Sequence, residues 1–328
     1  MKYKNLLLHN INEVEEREGK YWLHRFPGDV RNNLESTGQV SADHSGSEIR
    51  FMIRGKVRIK LSSDADSAAV IIYYGDNQFG IRYISQAGTV IELDTIYTPE
   101  NHAKLPQKAR YSPDMVRLVL FRTISLDEIS GDYELPGAEA SPEKKYLAYG
   151  TSITQGKYNL LPDLSYPAIF GNLTGFDVFN YGMSGCCFME DVVIDFLCRE
   201  SYDLISLCLS VNMLGKNYPI EVFRQRAGKL LRALRDKNPS SPVFLISIMT
   251  HWRDLGMTRE TSPRTAADCN EWRAVVEDLS GMTNTHFLDG RKILSPANLT
   301  TDFIHPGDYG MIEIAYNLYD AFKRVYLP

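Results

Sequence analysis

The feature that most restricts this chain is a change of hydrophobic period near residue 140. Before it, apolar residues recur at every second position in short runs. In SEIRFMIRGKVRI, Ile49, Phe51 and Ile53 share one face, with Glu48, Arg50 and Arg54 mostly opposite. AAVIIYYGDNQFGIRYI gives two such runs around a turn at Gly75-Asp76-Asn77, and GTVIELDTIYT and MVRLVLFRTISL keep the same β-branched and aromatic bias. Alternating side chains line opposite faces of a strand, so repeated runs of this kind between polar turns predict a β-sandwich or jelly roll. Short helical pieces are expected near residues 11–20 and 98–108.

The polar stretch GDYELPGAEASPEKK, from Gly131 to Lys145, reads as an interdomain connection. Beyond it, YLAYG, FDVFNYG, DLISLCLSV, VFLISIM and HFLDG read as buried strands. Helical stretches separate them: SYPAIFGNLTG closed by Gly175, residues 189–200, VFRQRAGKLLRALRDKN and TAADCNEWRAVVEDLSG, with GDYGMIEIAYNLYDAFKRVY closing the chain. Apolar strands alternating with helices imply an α/β fold, a parallel sheet covered on both faces. The 328 residues thus divide into a β-sandwich domain, 1–140, and an α/β domain, 141–328. Active sites of such sheets lie outside the carboxyl ends of the strands. That rule draws together the loops after Tyr149, Tyr181, Val211 and Asp289.

Composition narrows the partners. A formal net charge of -5 argues against nucleic acid, whose phosphates need clustered Lys and Arg. The five cysteines, Cys186, Cys187, Cys198, Cys208 and Cys269, are odd in number and mostly in apolar runs, so they read as thiols in a reducing compartment. MKYKNLLLHN is too short in its apolar stretch for a signal peptide, and no window approaches a membrane span. A soluble cytoplasmic protein, with neither nucleic acid nor membrane as partner, is the expectation; the oligomeric state is not legible.

Chemistry concentrates at four places. Ser152, in YLAYGTSITQG, directly follows a buried strand and begins a turn into a helix. Its own N–H would stand free at a helix start, where developing negative charge is favoured; an ordinary N-cap serine fits there equally well. In TDFIHPGDYG, Asp302 and His305 are three apart in a tight turn, where a carboxylate can fix an imidazole tautomer. An isolated pair of this kind is more often a polar turn with Asp302 as a local cap. NYGMSG, with Gly182 and Gly185, offers unobstructed backbone N–H groups, and Asn212 in LSVNML offers a side-chain amide. A glycine turn and a strand-end asparagine are the plain alternatives.

Together these segments resemble the SGNH hydrolases, also called GDSL-like lipases or acylhydrolases. That family carries a GDSI-like serine block, a glycine block, a G-x-N-D block and a terminal D-x-x-H-P block. Here they read GTSITQG, NYGMSG, SVNM and DFIHP, in the family's order, over roughly residues 145–328. The resemblance implies a three-layer, flavodoxin-like hydrolase domain. It also implies Ser152 as nucleophile, with Asp302 and His305 completing the triad. The Ser152 N–H, Gly185 and Asn212 become oxyanion donors; Gly185 is preferred to Gly182 as the second glycine of an N-x-G-x-x-G stretch. The order Ser, then Asp-x-x-His, differs from the GxSxG α/β-hydrolases. The family's Asp is replaced by Thr151, and the Gly and Asp flanking its asparagine by Ser210 and Met213.

The resemblance therefore implies a serine esterase that needs no cofactor and no metal. His251 and the other histidines look isolated, with His251 a loop residue that can line the pocket. A β-rich domain ahead of the hydrolase resembles carbohydrate esterases, which implies a small acyl group, acetyl first, on an oligosaccharide or other small ester substrate. Tyr73, Tyr74, Phe79 and Tyr83 can stack on sugar rings, although strand aromatics ordinarily belong to a core. The alternatives are a lysophospholipase or thioesterase acting on longer chains, and a non-catalytic carbohydrate-binding protein.

Overall fold

A computed structural model of the chain describes residues 1–36, 44–105, 109–259 and 264–326. Its contacts form two units: Met1–Arg31, Ser41–Glu143 and Gly175–Asp177 in the first, Asn32–Val40, Lys144–Thr174 and Val178–Pro328 in the second. Among the described residues no helix is long and apolar enough to cross a membrane.

Alternation of apolar and polar residues sets the first unit. Its strands are β1 (Lys2–Tyr3), β2 (Leu6–His9), β3 (Glu13–Arg17), β4 (Lys20–His24), β5 (Glu48–Ser62), β6 (Ala69–Tyr74), β7 (Asn77–Tyr83), β8 (Thr89–Leu93), β9 (Met115–Phe121) and β10 (Ser125–Glu134), with short helices α1 (Gly28–Arg31) and α2 (Pro99–His102). They pair in the order β3-β4-β10-β5-β9-β6-β7, with β2 and β8 also on β5 and β1 on β2. The fifteen-residue β5 organises the unit. Its first half lies between β2 and β9, with Ile49 opposite both Leu8 and Leu118. Its second half lies between β8 and β10, with Ile59 opposite Ile91 and Ile129. Ile49, Phe51, Ile53, Val57, Ile59 and Leu61 enter one core with Leu8, Leu23, Ile72, Leu118 and Leu126. One strand thus serves two sheet halves folded over a shared interior, which is the sandwich.

The opposite face of β5 departs from the simple pattern. Glu48 and Arg50 point away from the apolar core, yet both are buried. Glu48 accepts hydrogen bonds from Arg50 Nε at 2.7 Å and from Arg117 Nε at 2.9 Å and Nη2 at 2.5 Å. Arg50 continues to Asp177, part of this unit, through Nη1 at 3.0 Å and Nη2 at 2.8 Å, and Tyr111 donates to the same carboxylate at 3.1 Å. Burial alone would raise both carboxyls. The guanidiniums override it, holding Glu48 well below its ordinary range and Asp177 at about 2.

Three sequence expectations change here. Residues 11–20 form the β3–β4 hairpin rather than a helix. Its turn residues Glu18 and Gly19 both have positive φ, at 57° and 74°, the geometry that matches strand twist across a two-residue loop. The run MVRLVLFRTISL is two strands, broken at Arg122 with φ 67°. The stretch after Gly131 begins inside β10, which continues to Glu134. The short helix near 98 is α2, capped by Thr98 on Asn101 N; residues 106–108 lie outside the described residues.

The second unit contains β11 (Lys145–Gly150), α3 (Ser152–Gln155), α4 (Tyr166–Thr174), β12 (Asp177–Gly182, whose first residue belongs to the first unit), α5 (Asp191–Leu197), β13 (Leu204–Cys208), α6 (Val211–Gly215), α7 (Ile220–Lys237), β14 (Val243–Ile246), α8 (Ala266–Leu279), β15 (Thr285–Leu288), α9 (Gly290–Ile293) and α10 (Asp308–Tyr326). The sheet order is β12-β11-β13-β14-β15, with parallel registers such as Leu147 to Ile205 and Leu207 to Leu245. Every residue of β13 and β14 is buried, as a sheet covered on both faces requires. Helices α4 and α10 meet through Phe170 and Phe322, centroids 5.7 Å apart. Helices α7 and α8 meet through stacked Phe223 and Trp272 at 4.6 Å. The strand read through Val211 ends at Cys208, because Ser210 turns the backbone at φ 91° and α6 begins.

Replacing Glu48 with Gln is expected to destabilise the protein by about 3–5 kcal/mol, because two buried guanidiniums lose their shared counter-charge. Urea unfolding measures this. Because both carboxyls are depressed, the network's contribution is present above ordinary carboxylate pKa values and is lost as pH falls through the depressed ones.

Candidate active site

In this sheet the first strand of the unit, β11, lies between the second and the third. Connections leave β11 and β13 toward opposite sides, so a crevice opens at their carboxyl ends. Thr151 and Ser152 follow β11 directly. Thr151 caps the four-residue α3 by accepting from Ile153 N, and Gly156 closes it in the left-handed region at φ 90°. The Ser152 N–H is therefore the first of a helix, with no intrahelical acceptor. Thr151 stands where the family pattern has Asp, and performs the cap.

Ser152 Oγ lies 2.8 Å from His305 Nε2. His305 Nδ1 lies 2.6 Å from Asp302 Oδ2. The second carboxylate oxygen of Asp302 accepts from Ile304 N at 2.8 Å, His305 N at 2.9 Å and Thr300 Oγ1 at 2.8 Å. The three residues are thus one chain of hydrogen bonds, although 153 positions separate Ser152 from His305. The loop that carries Asp302 and His305 is tied down at both ends. Gly307 N donates to Asn298 O at 3.0 Å, Thr300 N to His305 O at 2.8 Å, and Trp252 N to Phe303 O at 2.7 Å.

The glycine loop after β12 is anchored from two sides. Ser184 N donates to Gln155 Oε1 at 2.8 Å, and Asn180 Nδ2 to Thr154 O at 2.8 Å, which fastens it to α3. Cys187 N donates to Asn212 Oδ1 at 3.2 Å, which fastens it to α6 and turns the amide hydrogens of Asn212 the other way. The two glycines differ. Gly182 N is engaged by Asn180 Oδ1 at 2.9 Å, and a Cβ there would collide with the backbone of Gln155. Gly185 is exposed and left-handed, at φ 73°. Gln155, Asn180 and Thr300 were not singled out in the sequence. Their work is hydrogen bonding between loops distant in the chain, and of the three only Asn180, which opens the N-x-G-x-x-G stretch, stands in a pattern of the sequence.

His251 is buried in the loop after β14. Its ring nitrogens face Cys269 Sγ at 3.5 Å and Asp254 Oδ2 at 3.4 Å, not Ser152, and burial lowers its pKa to about 4. All five cysteines are free thiols. Among the described residues no group of His, Cys, Asp and Glu has the arrangement of a metal site.

Residues 143–325 match the sequence profile of the GDSL-like lipase/acylhydrolase family, more than half of the chain. The chain belongs to this family. It is a carboxylic ester hydrolase. No curated protein matches the sequence. Among solved structures, this GDSL-like hydrolase is similar to the salicylyl-acyltransferase SsfX3 from a tetracycline biosynthetic pathway, at 17% identity and a TM-score of 0.74, covering 98% of this chain and 94% of that one. A family two carbohydrate esterase from Clostridium thermocellum, solved with cellohexaose, matches at 12% identity and a TM-score of 0.65, covering 97% and 98%. The acetyl xylan esterase Est2A from Butyrivibrio proteoclasticus matches at 12% identity and 0.57, covering 99% and 96%. The two-domain layout, a β-sandwich with an α/β hydrolase domain, is common to these folds.

Electrostatics in this GDSL-like site favour a neutral imidazole beside a charged carboxylate. Burial would raise Asp302, but the donors around it hold it at about 2. For His305, burial lowers the pKa below 6.5, Asp302 opposes that shift, and Lys157 adds to it. A general base must be neutral to accept a proton. Turnover is expected to rise with pH through a half-point below 6.5 and then level off. Lys157→Ala should move that half-point upward, a difference that shrinks at high salt; the pH profile of kcat/KM measures both.

The block around Asn212 also carries strain. Ser210, in place of the family's glycine, sits at φ 91°, ψ -45°. Ser210→Gly should stabilise the protein by about 1 kcal/mol in urea unfolding, since glycine adopts this region without cost to its side chain.

Proposed function

We propose that this GDSL-like hydrolase removes small acyl groups, acetyl above all, from a carbohydrate or related small substrate. Ser152 is the nucleophile, His305 its base and Asp302 the residue that orients and supports the imidazole. The observation that carries the reading is the continuous path from Ser152 Oγ to His305 Nε2 at 2.8 Å and from Nδ1 to Asp302 at 2.6 Å. His305 takes the hydroxyl proton as Oγ bonds to the ester carbonyl carbon. The resulting oxyanion is met by N–H groups of Ser152 and Gly185 and by the Asn212 amide. Collapse of the tetrahedral species breaks the bond to the alcohol, which leaves with the proton from His305. Water, deprotonated by the same imidazole, then releases the acid.

The sugar ester is favoured by the full-length likeness to a family two carbohydrate esterase and an acetyl xylan esterase. The likeness to a salicylyl-acyltransferase supports a second reading, in which an alcohol acceptor replaces water in the last step. Five free thiols support a reducing, cytoplasmic setting.

Purified wild type and Ser152→Ala are compared on p-nitrophenyl acetate, butyrate and octanoate. The expected result is acetate turnover that falls with chain length and drops by about 10⁴-fold or more in the variant. Asn212→Ala should lower kcat by about 10²–10³-fold. Preference for octanoate would move the assignment to a lipid or thioester hydrolase. Activity that survives Ser152→Ala would remove the nucleophile.

A further inference from the structure

Helix α10 has two apolar faces where one is expected. Met311, Ile314, Ala315, Leu318 and Phe322 are buried and serve the core. Tyr309, Ile312 and Tyr316, spaced i, i+3 and i+7, form a second stripe that stands in solvent, with Tyr309 80% exposed. Single exposed apolar residues need no explanation, but these are not scattered. Among the described residues of the second unit, the other large exposed apolar side chains are Tyr158, Leu160, Leu255 and Met257. The segments bearing them are fastened to the loop of His305. The ring of Tyr158 meets the His305 imidazole edge-on with centroids 4.9 Å apart, and Leu160 N donates to Asp308 Oδ1 at 3.1 Å, beside Tyr309. Trp252, in the loop of Leu255 and Met257, donates to Phe303 O.

We propose that Tyr158, Leu160, Tyr309, Ile312 and Tyr316 form a track for a saccharide chain that leads away from the reacting ester. The proposal rests on the esterase reading above and names its substrate as a chain of sugars rather than a single ring. From Tyr309 to Tyr316 the helix rises about 10 Å, enough for more than one ring beyond the one at His305. The chemistry of the strip selects the occupant. An acyl chain gains by leaving water on all sides and needs an enclosed groove, which an open helix face does not provide. A sugar ring has one apolar face to lay on an aromatic surface, while its hydroxyls stay in water or meet the phenol oxygens. Tyr158 sits at φ 69°, and its ring meets the imidazole edge-on.

The test uses the full chain with acetylated glucose and acetylated cellotetraose, reading kcat/KM for each. The wild type should favour the longer ester. Tyr309→Ala and Tyr316→Ala should each lower that preference by about 5-fold, mostly through KM, and Tyr309→Phe should retain most of it. Val90→Ala, an exposed apolar residue of the other unit, should leave the preference unchanged. Equal turnover of the two esters by wild type, or equal losses on both in the alanine variants, would overturn the track. A wild-type dimer in sedimentation that Tyr316→Ala dissociates would assign the strip to self-association and overturn it as well. Ser152→Ala separates the two readings. If it abolishes all turnover while the tyrosine variants show no length effect, the esterase stands and the track fails; if turnover survives it, the esterase reading itself fails.

Discussion

The constraint on which the site depends is the position of β11 between β12 and β13. A chain that lays its first strand in the middle of a parallel sheet must send successive connections to opposite sides, and the carboxyl ends of β11 and β13 are left uncovered. Everything chemical in the second unit follows from that opening. Ser152 is presented there because α3 starts immediately after β11, and a helix start leaves its first N–H groups without partners. Asn212 arrives because Ser210 ends β13 abruptly and begins α6 beside it. The loop after β12 then fills the space between them, held to α3 through Gln155 and to α6 through Asn212.

The histidine arm reaches the opening by a different device. The segment from Asn298 to Gly307 is closed on itself by backbone bonds and by Asp302, whose one oxygen gathers three donors while the other takes the imidazole. A carboxylate so occupied stays charged and stationary. The imidazole it orients is partly desolvated, which disfavours its cation, while the same carboxylate favours that cation and opposes the shift. Ser210 and Phe303, where two of these loops turn, both have positive φ.

Much of this was legible in one dimension. The four blocks around Ser152, Gly185, Asn212 and Asp302–His305 could be read because each follows a strand or precedes a helix and carries a residue type suited to its place. Of the two glycines in that block, Gly182 has its N–H engaged by Asn180. Illegible were the β3–β4 hairpin, hidden by a run of glutamates that masks its alternation, and the break at Arg122, where no glycine or proline marks the turn. Glu48 and Arg50 were read as opposite the core, correctly, but their burial depends on Arg117 and Asp177, residues far along the chain.

The sequence by itself determined the period of each segment, and with it the division into an alternating β half and a β/α half. It also determined the residue types of the four blocks, since these are local properties of a strand end or a turn. Only the tertiary structure decided which of those residues meet. A hydrogen bond between Ser152 and His305 closes a loop of more than a hundred and fifty residues. No local propensity encodes such a contact; it exists because the sheet order brings two strand ends and one distant loop to the same opening. The exposed tyrosines of α10 show the same division. Their spacing can be read from the chain, but their exposure belongs to the fold.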